Sequence, residues 1–231
     1  MTIKKNMTKI LEIFRSIKSA NVIAPKIDYH DYIPLDLSVS NHELHNHKLE
    51  TASDYEIFIQ KYLDKNKSKI AFGGYIETRN LYKRSTVFKN EITAERNIHI
   101  GLDLWINEAA SVHAALDGKI HSFQNNIALG DYGPTIILEH EIDGFVFHTL
   151  YGHLSEASLT NKKVGETVTK GSQIGTLGLP PINGDYAPHL HFQIIIDMEE
   201  KTGDYPGVCS ENKLEFYKNN CPNPNLLLKI N

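Results

Sequence analysis

Residues 186–196 read YAPHLHFQIII, two histidines flanking a leucine at the mouth of an apolar run. On a β-strand successive side chains alternate faces, so His189 and His191 project from one side. The run is short and rich in β-branched residues, which reads as a buried strand. The segments before it share that texture. ASVHAALDGKIHSF (110–123) has strand-like runs around a turn at Asp117-Gly118. PTIILEHE (134–141) and FVFHTLYGHL (145–154) are parted by Asp143-Gly144, a hairpin signal. KKVGETVTKGSQIGTLG (162–178) sets Gly165, Gly171, Gly175 and Gly178 between single valines and isoleucines, as tight turns joining very short strands do. The expected fold is mainly β: a compact antiparallel β-sandwich or barrel, with N-terminal helices and a short C-terminal helix.

The first ninety residues differ. In MTIKKNMTKILEIFRSIKSANVIAP (1–25), Met7, Ile10, Leu11, Phe14 and Ile17 fall at helical spacing, which favours an amphipathic helix over a targeting segment. SDYEIFIQKYLDK (53–65) predicts a second helix, with Ser53 and Glu56 as its capping box and Tyr55, Phe58, Ile59, Tyr62 and Leu63 on one face. AFGGYIETRNLYKRSTVF (71–88) reads as a turn or an extended segment lining a surface. The tail from Cys209 suggests a short helix capped by Ser210, then a Pro-rich extended end. The chain divides into a helical and irregular region at 1–90, a β domain at 91–198 and a C-terminal extension at 199–231.

The chain has 231 residues, 41% of them hydrophobic and 23% charged, enough to bury a real core. A net charge of −4 without a basic run offers nothing to nucleic acid or to a membrane surface. No segment has the ~18 apolar residues of a membrane span, and no signal peptide is visible, so the expected location by sequence is cytoplasmic. Cys209 and Cys221 match no zinc-binding spacing, and free thiols are the expectation.

The chemistry lies in the histidines, twelve in all. In NIHIGLDLW (97–105), His99 and Asp103 stand four apart around Gly101, whose freedom lets the backbone bend so that both side chains converge. With one histidine of the 189/191 pair they make a three-ligand zinc set with an open fourth position, as hydrolytic zinc chemistry requires. Hydrolysis also needs a proton carrier that is not a ligand, and imidazole titrates in the right range. His153, after Tyr151-Gly152, and the other member of the pair suit that task. The spacing alone does not say which of His189 and His191 is the ligand.

Residues 95–197 resemble the lysostaphin-like zinc metallopeptidases, enzymes that cut peptide cross-links in bacterial peptidoglycan. The residues that carry the resemblance are HIGLD (99–103), AALDGKI (114–120), IILEH (136–140), TLYGHLS (149–155), VGETVTKGSQIGTLG (164–178) and PHLHFQI (188–194). The resemblance implies a duplicated hybrid motif fold and one zinc ion per chain. It implies that His99, Asp103 and His191 bind that zinc, and that His153 and His189 are catalytic histidines that activate water and stabilise the oxyanion. The implied substrate is a peptidoglycan peptide or another short peptide with Gly- or D-Ala-containing bonds, which would place the chain at the cell envelope if it is exported by another route. The chain departs from the pattern at NGDYAPHLH (183–191), where Asp185 and Tyr186 replace a Ser/Thr-Gly pair beside His189.

Other histidines have weaker patterns. His42, His45 and His47 read as a solvated loop rather than a second metal site, with Asn41 or one of them as a self-inhibiting cap on the zinc as the sharper alternative. His140 reads as a support for the groove, and His113, His121 and His148 as structural or exposed. Tyr75, Glu77 and Arg79 read as a salt-bridged edge, or else as groove wall. A non-hydrolytic binding module and a phosphohistidine carrier on the same scaffold are the competing functions. The first usually lacks a ligand and here none is missing; the second does not call for HxxxD together with HxH.

Overall fold

The computed structural model of the protein describes residues 2–80, 95–106 and 109–231, with side chains from Thr8 onward. In chain order the first elements are α1 (Thr2–Ser16), β1 (Tyr32–Pro34), α2 (Ala52–Asn66), β2 (Ile70–Gly73) and β3 (Glu77–Thr78). Then come β4 (Ile98–His99), β5 (Leu102–Trp105), β6 (Ser111–His113), β7 (Gly118–Asn126), β8 (Gly133–Ile142) and β9 (Phe145–Gly152). The last are β10 (Thr167–Val168), β11 (Gln173–Thr176), β12 (His189–Ile195), β13 (Val208–Cys209), α3 (Leu214–Asn220) and α4 (Asn225–Leu228).

Both N-terminal helices form. α1 buries Ile10 and Phe14 in the main core, and the Phe14 ring meets Phe147 edge-on with centroids 4.8 Å apart. The Met7 side chain, and residues 81–88 of the extended stretch, lie outside the described residues. α2 buries Ile59 and Leu63 against Leu35, Ala71 and Trp105. Its capping box is Thr51 with Asp54, two residues before the expected Ser53 and Glu56. The Thr51 hydroxyl accepts from the Asp54 N–H at 3.1 Å, and the Asp54 carboxylate accepts from the backbone N–H of Thr51 at 2.9 Å. Asp54 also accepts from the Glu50 N–H at 3.1 Å, a third donor satisfied by the upstream start.

Eight strands form one sheet in the order β1-β2-β5-β12-β9-β8-β7-β10. All its pairs are antiparallel except β1 with β2. The sheet ends at β1 and β10, so the described residues form mainly antiparallel sheets and no closed barrel. β11 pairs with β6 in a second sheet, and β13-β4-β3 make a third. The Asp117-Gly118 turn therefore is not a hairpin: β6 goes to β11 and β7 to β8, and the chain changes sheet at the turn. Asp143-Gly144 is a hairpin. Both residues have positive φ (51° and 75°), as a two-residue turn matching the strand twist requires.

β12 sits between β5 and β9 and is buried at every position. A strand covered on both faces reads as a continuous apolar run, which is what Phe192–Ile195 supplies around Gln193.

The C-terminus differs from expectation at two points. Ser210 stands at the N-cap position of a 3-10 turn (Glu211–Lys213) that leads into α3, but its side chain makes no cap bond; the hydroxyl donates to Asn212 Oδ1 at 2.6 Å. The expected extended end folds into α4, which begins after Pro224 and buries Leu227 and Leu228 in the main core. Proline is tolerated there because the first backbone N–H groups of a helix have no partner within it. Cys209 and Cys221 are buried free thiols, and burial pushes the Cys209 thiol up to about 11. Among the described residues no helix is long and apolar enough to cross a membrane.

Candidate metal centre and cleft

Strand register assembles the site. In the β12–β5 pair, His191 lies directly opposite Asp103 and His189 opposite Trp105. His99 comes from the three-stranded sheet, where it is paired with Glu77 of β3 and Val208 of β13. The result brings one donor atom each from His99, Asp103 and His191 within 4.8 Å of one another, all three side chains buried. His99 Nε2 is 2.9 Å from His191 Nδ1, and Asp103 Oδ1 is 3.3 Å from the first and 3.2 Å from the second.

The hydrogen bonds behind the rings fix their tautomers. His99 Nδ1 donates to the Gly74 carbonyl at 2.9 Å, which leaves Nε2 as a lone-pair donor. His191 Nε2 donates to Gln193 Oε1 at 2.9 Å, which leaves Nδ1 bare. The Gln193 amide is itself oriented, since its NH2 group donates to Pro206 O at 3.1 Å and to Cys221 Sγ at 3.3 Å. Two imidazole lone pairs and a carboxylate oxygen thus point at one another with no hydrogen between them. Such a group repels itself unless a cation sits among its members, and two nitrogens with one oxygen suit zinc.

Electrostatics favour the same state. Burial, above all other causes, pulls His99 down to about 4, so its imidazole stays neutral. Burial opposes the charge on Asp103, but its charged partners, the Arg79 guanidinium among them, outweigh it and hold the carboxyl well below its ordinary range. Arg79 Nη1 donates to Asp103 Oδ2 at 2.6 Å, and its Nε is paired with Glu77. The salt-bridged reading of Glu77 and Arg79 is what the structure shows, while the Tyr75 hydroxyl donates to Cys221 O at 3.0 Å.

Gly101 acts differently from expectation. Its φ is not positive, so no special backbone bend depends on it. A Cβ there would instead collide with Cε1 and Nε2 of His191. The glycine makes room for the ring.

His153 and His189 stand beside this group, their ring centroids 4.3 Å apart. Each ties Nδ1–H to a carbonyl at 2.7 Å, Asn183 O for His153 and Ala187 O for His189, so both present Nε2 as an acceptor. Burial lowers both from their ordinary value, His153 well below it. His153 has φ of 62°, the left-handed region that a non-glycine residue rarely occupies. That conformation at the end of β9 costs on the order of 1–3 kcal/mol and is the kind of local strain found at functional sites. His189 lies parallel to Trp105 with centroids 5.8 Å apart.

The five histidine and aspartate side chains line one cleft of about 170 Å³. Three of its residues carried no signal that spacing could detect. Tyr132 sets its hydroxyl 3.4 Å from His191 Nε2. Asp131 and Asp204 also line the cleft, and burial raises both carboxyls. Gln193 was legible in principle, as a polar residue on the face of His191 within an otherwise apolar strand. Tyr186 forms a wall, its ring 5.1 Å from His153 and 5.9 Å from His189, its hydroxyl donating to Gly130 O at 2.7 Å.

The remaining histidines lie elsewhere. His42, His45 and His47 occupy an exposed 3-10 turn and its end, and Asn41 spends its side chain on Asp36 O and the Glu43 N–H. His140 is buried between Asp117 O and Thr149 Oγ1, at 2.8 and 2.7 Å. His113 bonds Gly171 O, and His121 faces His148 with centroids 4.8 Å apart.

Residues 97–202 match peptidase family M23. The chain carries an M23 peptidase domain. The chain is also 33% identical over 102 residues to the cell division protein DipM of Caulobacter vibrioides, a stretch covering 44% of this chain and 15% of that protein. It is 27% identical to the catalytic domain of the antimicrobial peptidase lysostaphin from Staphylococcus simulans, covering 66% of this chain and 94% of that one with a TM-score of 0.39. Against the longer lysostaphin structure the identity is 30%, covering 52% of this chain and 44% of that one, with a TM-score of 0.35. The M23 domain contains both clefted strands, β5 and β12, and all five of the assembled residues; Gly74, Glu77 and Arg79 precede it.

Proposed function

We propose that the M23 domain is a zinc-dependent endopeptidase that hydrolyses peptide cross-links of bacterial peptidoglycan at Gly- or D-Ala-containing bonds. His99 Nε2, Asp103 Oδ1 and His191 Nδ1 would hold one zinc per chain. The observation that carries the reading is the convergence of those three lone-pair donors, each oriented from behind and none with a proton to offer the others. Bound there, zinc supplies Lewis acidity and makes water acidic enough to attack a carbonyl near neutral pH.

The protein's own part is proton handling and orientation. His153 and His189 each hold Nδ1–H on a fixed backbone carbonyl, so Nε2 faces the cleft and is ready to take a proton from the attacking water. Burial keeps both rings neutral until that moment. The ring that has taken the proton becomes an N–H donor, first for the oxyanion and then for the leaving amine. Tyr186 and the Asp185 turn form the rim beside these two rings and set which cross-link fits. The segments that follow β2 and β3 serve as a wall of the groove, supplying the Gly74 carbonyl and Arg79. The substrate places the site of action at the cell envelope.

The test combines metal analysis with digestion of muropeptides, read by mass spectrometry with and without chelator. Wild-type protein should carry about one zinc. His99→Ala should lose both metal and cleavage, and His153→Ala should keep the metal and lose turnover. A metal-free preparation that zinc cannot reconstitute would overturn the reading.

A further inference from the structure

We propose that Arg79 is a positioning residue for the metal centre, holding one oxygen of Asp103 so that the carboxylate offers only the other to the metal. The proposal rests on the zinc reading above. Asp103 Oδ2 takes the Arg79 Nη1–H at 2.6 Å, on the side away from the histidines. Oδ1 is left facing His99 Nε2 and His191 Nδ1 at 3.3 and 3.2 Å. A carboxylate without that brace is free to rotate and present both oxygens, which adds a ligand at the position that an open catalytic site leaves for water and substrate.

Arg79 is built to hold still. It is 1% exposed. Its Nε is paired with Glu77, and Glu77 Oε1 accepts the Leu37 N–H at 3.1 Å, so the brace is anchored to the backbone through Glu77. Its guanidinium carbon lies 5.4 Å from the centroid of Trp105, the residue across from His189. A planar guanidinium can bond Glu77 and Asp103 along separate edges at once, which a lysine ammonium at the end of a flexible stem cannot reproduce. The geometry also explains the order of the chain. Glu77 of β3 is paired with His99 of β4, so one strand pair delivers both a ligand and the brace for its neighbour. The M23 match begins at residue 97, and the brace is therefore contributed by the segment before it.

The experiment uses the full chain, stripped of metal and reloaded. Cobalt(II) reports coordination number through its visible bands, which are intense for four ligands and weaker for five or six. Wild type should show the intense four-coordinate spectrum. Arg79→Gln combined with Glu77→Gln removes both charges of that pair, so Glu77 is not left unpaired and only Asp103 loses its partner. That double variant should lose band intensity and bind zinc about 10- to 100-fold more weakly, the usual effect of removing a group that orients a ligand. Arg79→Lys should fall between the two. A folded double variant with the wild-type cobalt spectrum and zinc affinity within twofold of wild type would overturn the proposal. Wild-type protein that binds neither ion would instead sink the zinc reading, so the two failures are distinguishable. Should the double variant not fold, Arg79→Lys decides by the same two readouts.

Discussion

Replacing Gly101 with alanine tests the assembly of the site with a single methyl group. The new Cβ would lie inside the 3.0 Å that real Cβ atoms essentially never cross, against Cε1 and Nε2 of the His191 ring, and 3.1 Å from Nδ1. Ordinary carbon contact begins near 3.5 Å, so the ring must move by roughly 1 Å. The backbone offers no relief, since β5 begins at the next residue, Leu102, and is hydrogen-bonded to β12 on one side and β2 on the other. Forcing a methyl into a packed interior costs about 1–3 kcal/mol. A displacement of that size at a reacting centre costs about 100-fold in rate. Gly101→Ala should therefore lower muropeptide turnover by about that factor and reduce zinc retention against a chelator, with a modest loss of stability in urea. Gly144→Ala is the control: its φ of 75° makes the substitution strained, yet nothing lies within 4 Å of the added carbon. It should cost about 1–2 kcal/mol through the backbone and leave zinc and turnover unchanged. A Gly101→Ala protein with wild-type zinc retention and turnover would refute the argument that the glycine exists to seat His191.

Three further outcomes follow from contacts on other elements. Gln193→Leu removes the acceptor that keeps the proton on His191 Nε2, and zinc affinity measured by chelator competition should fall about 10- to 100-fold while Gln193→Glu, which still accepts, retains most of it. Thr51→Ala deletes the cap of α2 and should cost about 1 kcal/mol in urea unfolding with no change in turnover. Burial, joined by repulsion from His121, lowers His148 to about 4 from an ordinary 6.5, so between those values the unfolded chain binds the proton that the folded one refuses. Its contribution is full above pH 6.5 and drains as the pH falls toward 4, with a ceiling of about 3 kcal/mol before solvent screening at its edge. Urea unfolding at pH 7 and pH 5 should show a smaller acid loss in His148→Asn than in wild type.

Local patterns translated well wherever a short-range rule governs. The Asp143-Gly144 hairpin, the apolar face of α2 and the buried strand after His189 follow from turn chemistry and periodicity, which need no knowledge of distant residues. Errors arose where two local solutions compete and tertiary contacts choose between them. Thr51-Asp54 and Ser53-Glu56 are both capping boxes on paper, and α4 forms after Pro224 because the main core receives Leu227 and Leu228. The role of Gly101 is not legible locally, because a ring arriving from a strand ninety residues away leaves no trace in its neighbours.

The sequence by itself determined the β character of the second half, the alternation that sets His189 and His191 on one face, and the five residues that the cleft collects. Only the tertiary structure decided how they face one another. The register of β12 against β5 puts His191 across from Asp103, a third strand brings His99, and Gly74, Gln193, Asn183 and Ala187 supply the acceptors that fix each tautomer. Those acceptors are mostly backbone carbonyls, which every residue type carries alike, and the guanidinium that bonds Asp103 comes from the residue after β3, an element of another sheet. Side-chain identity is written in the sequence, whereas the direction of a lone pair is set by what packs behind it.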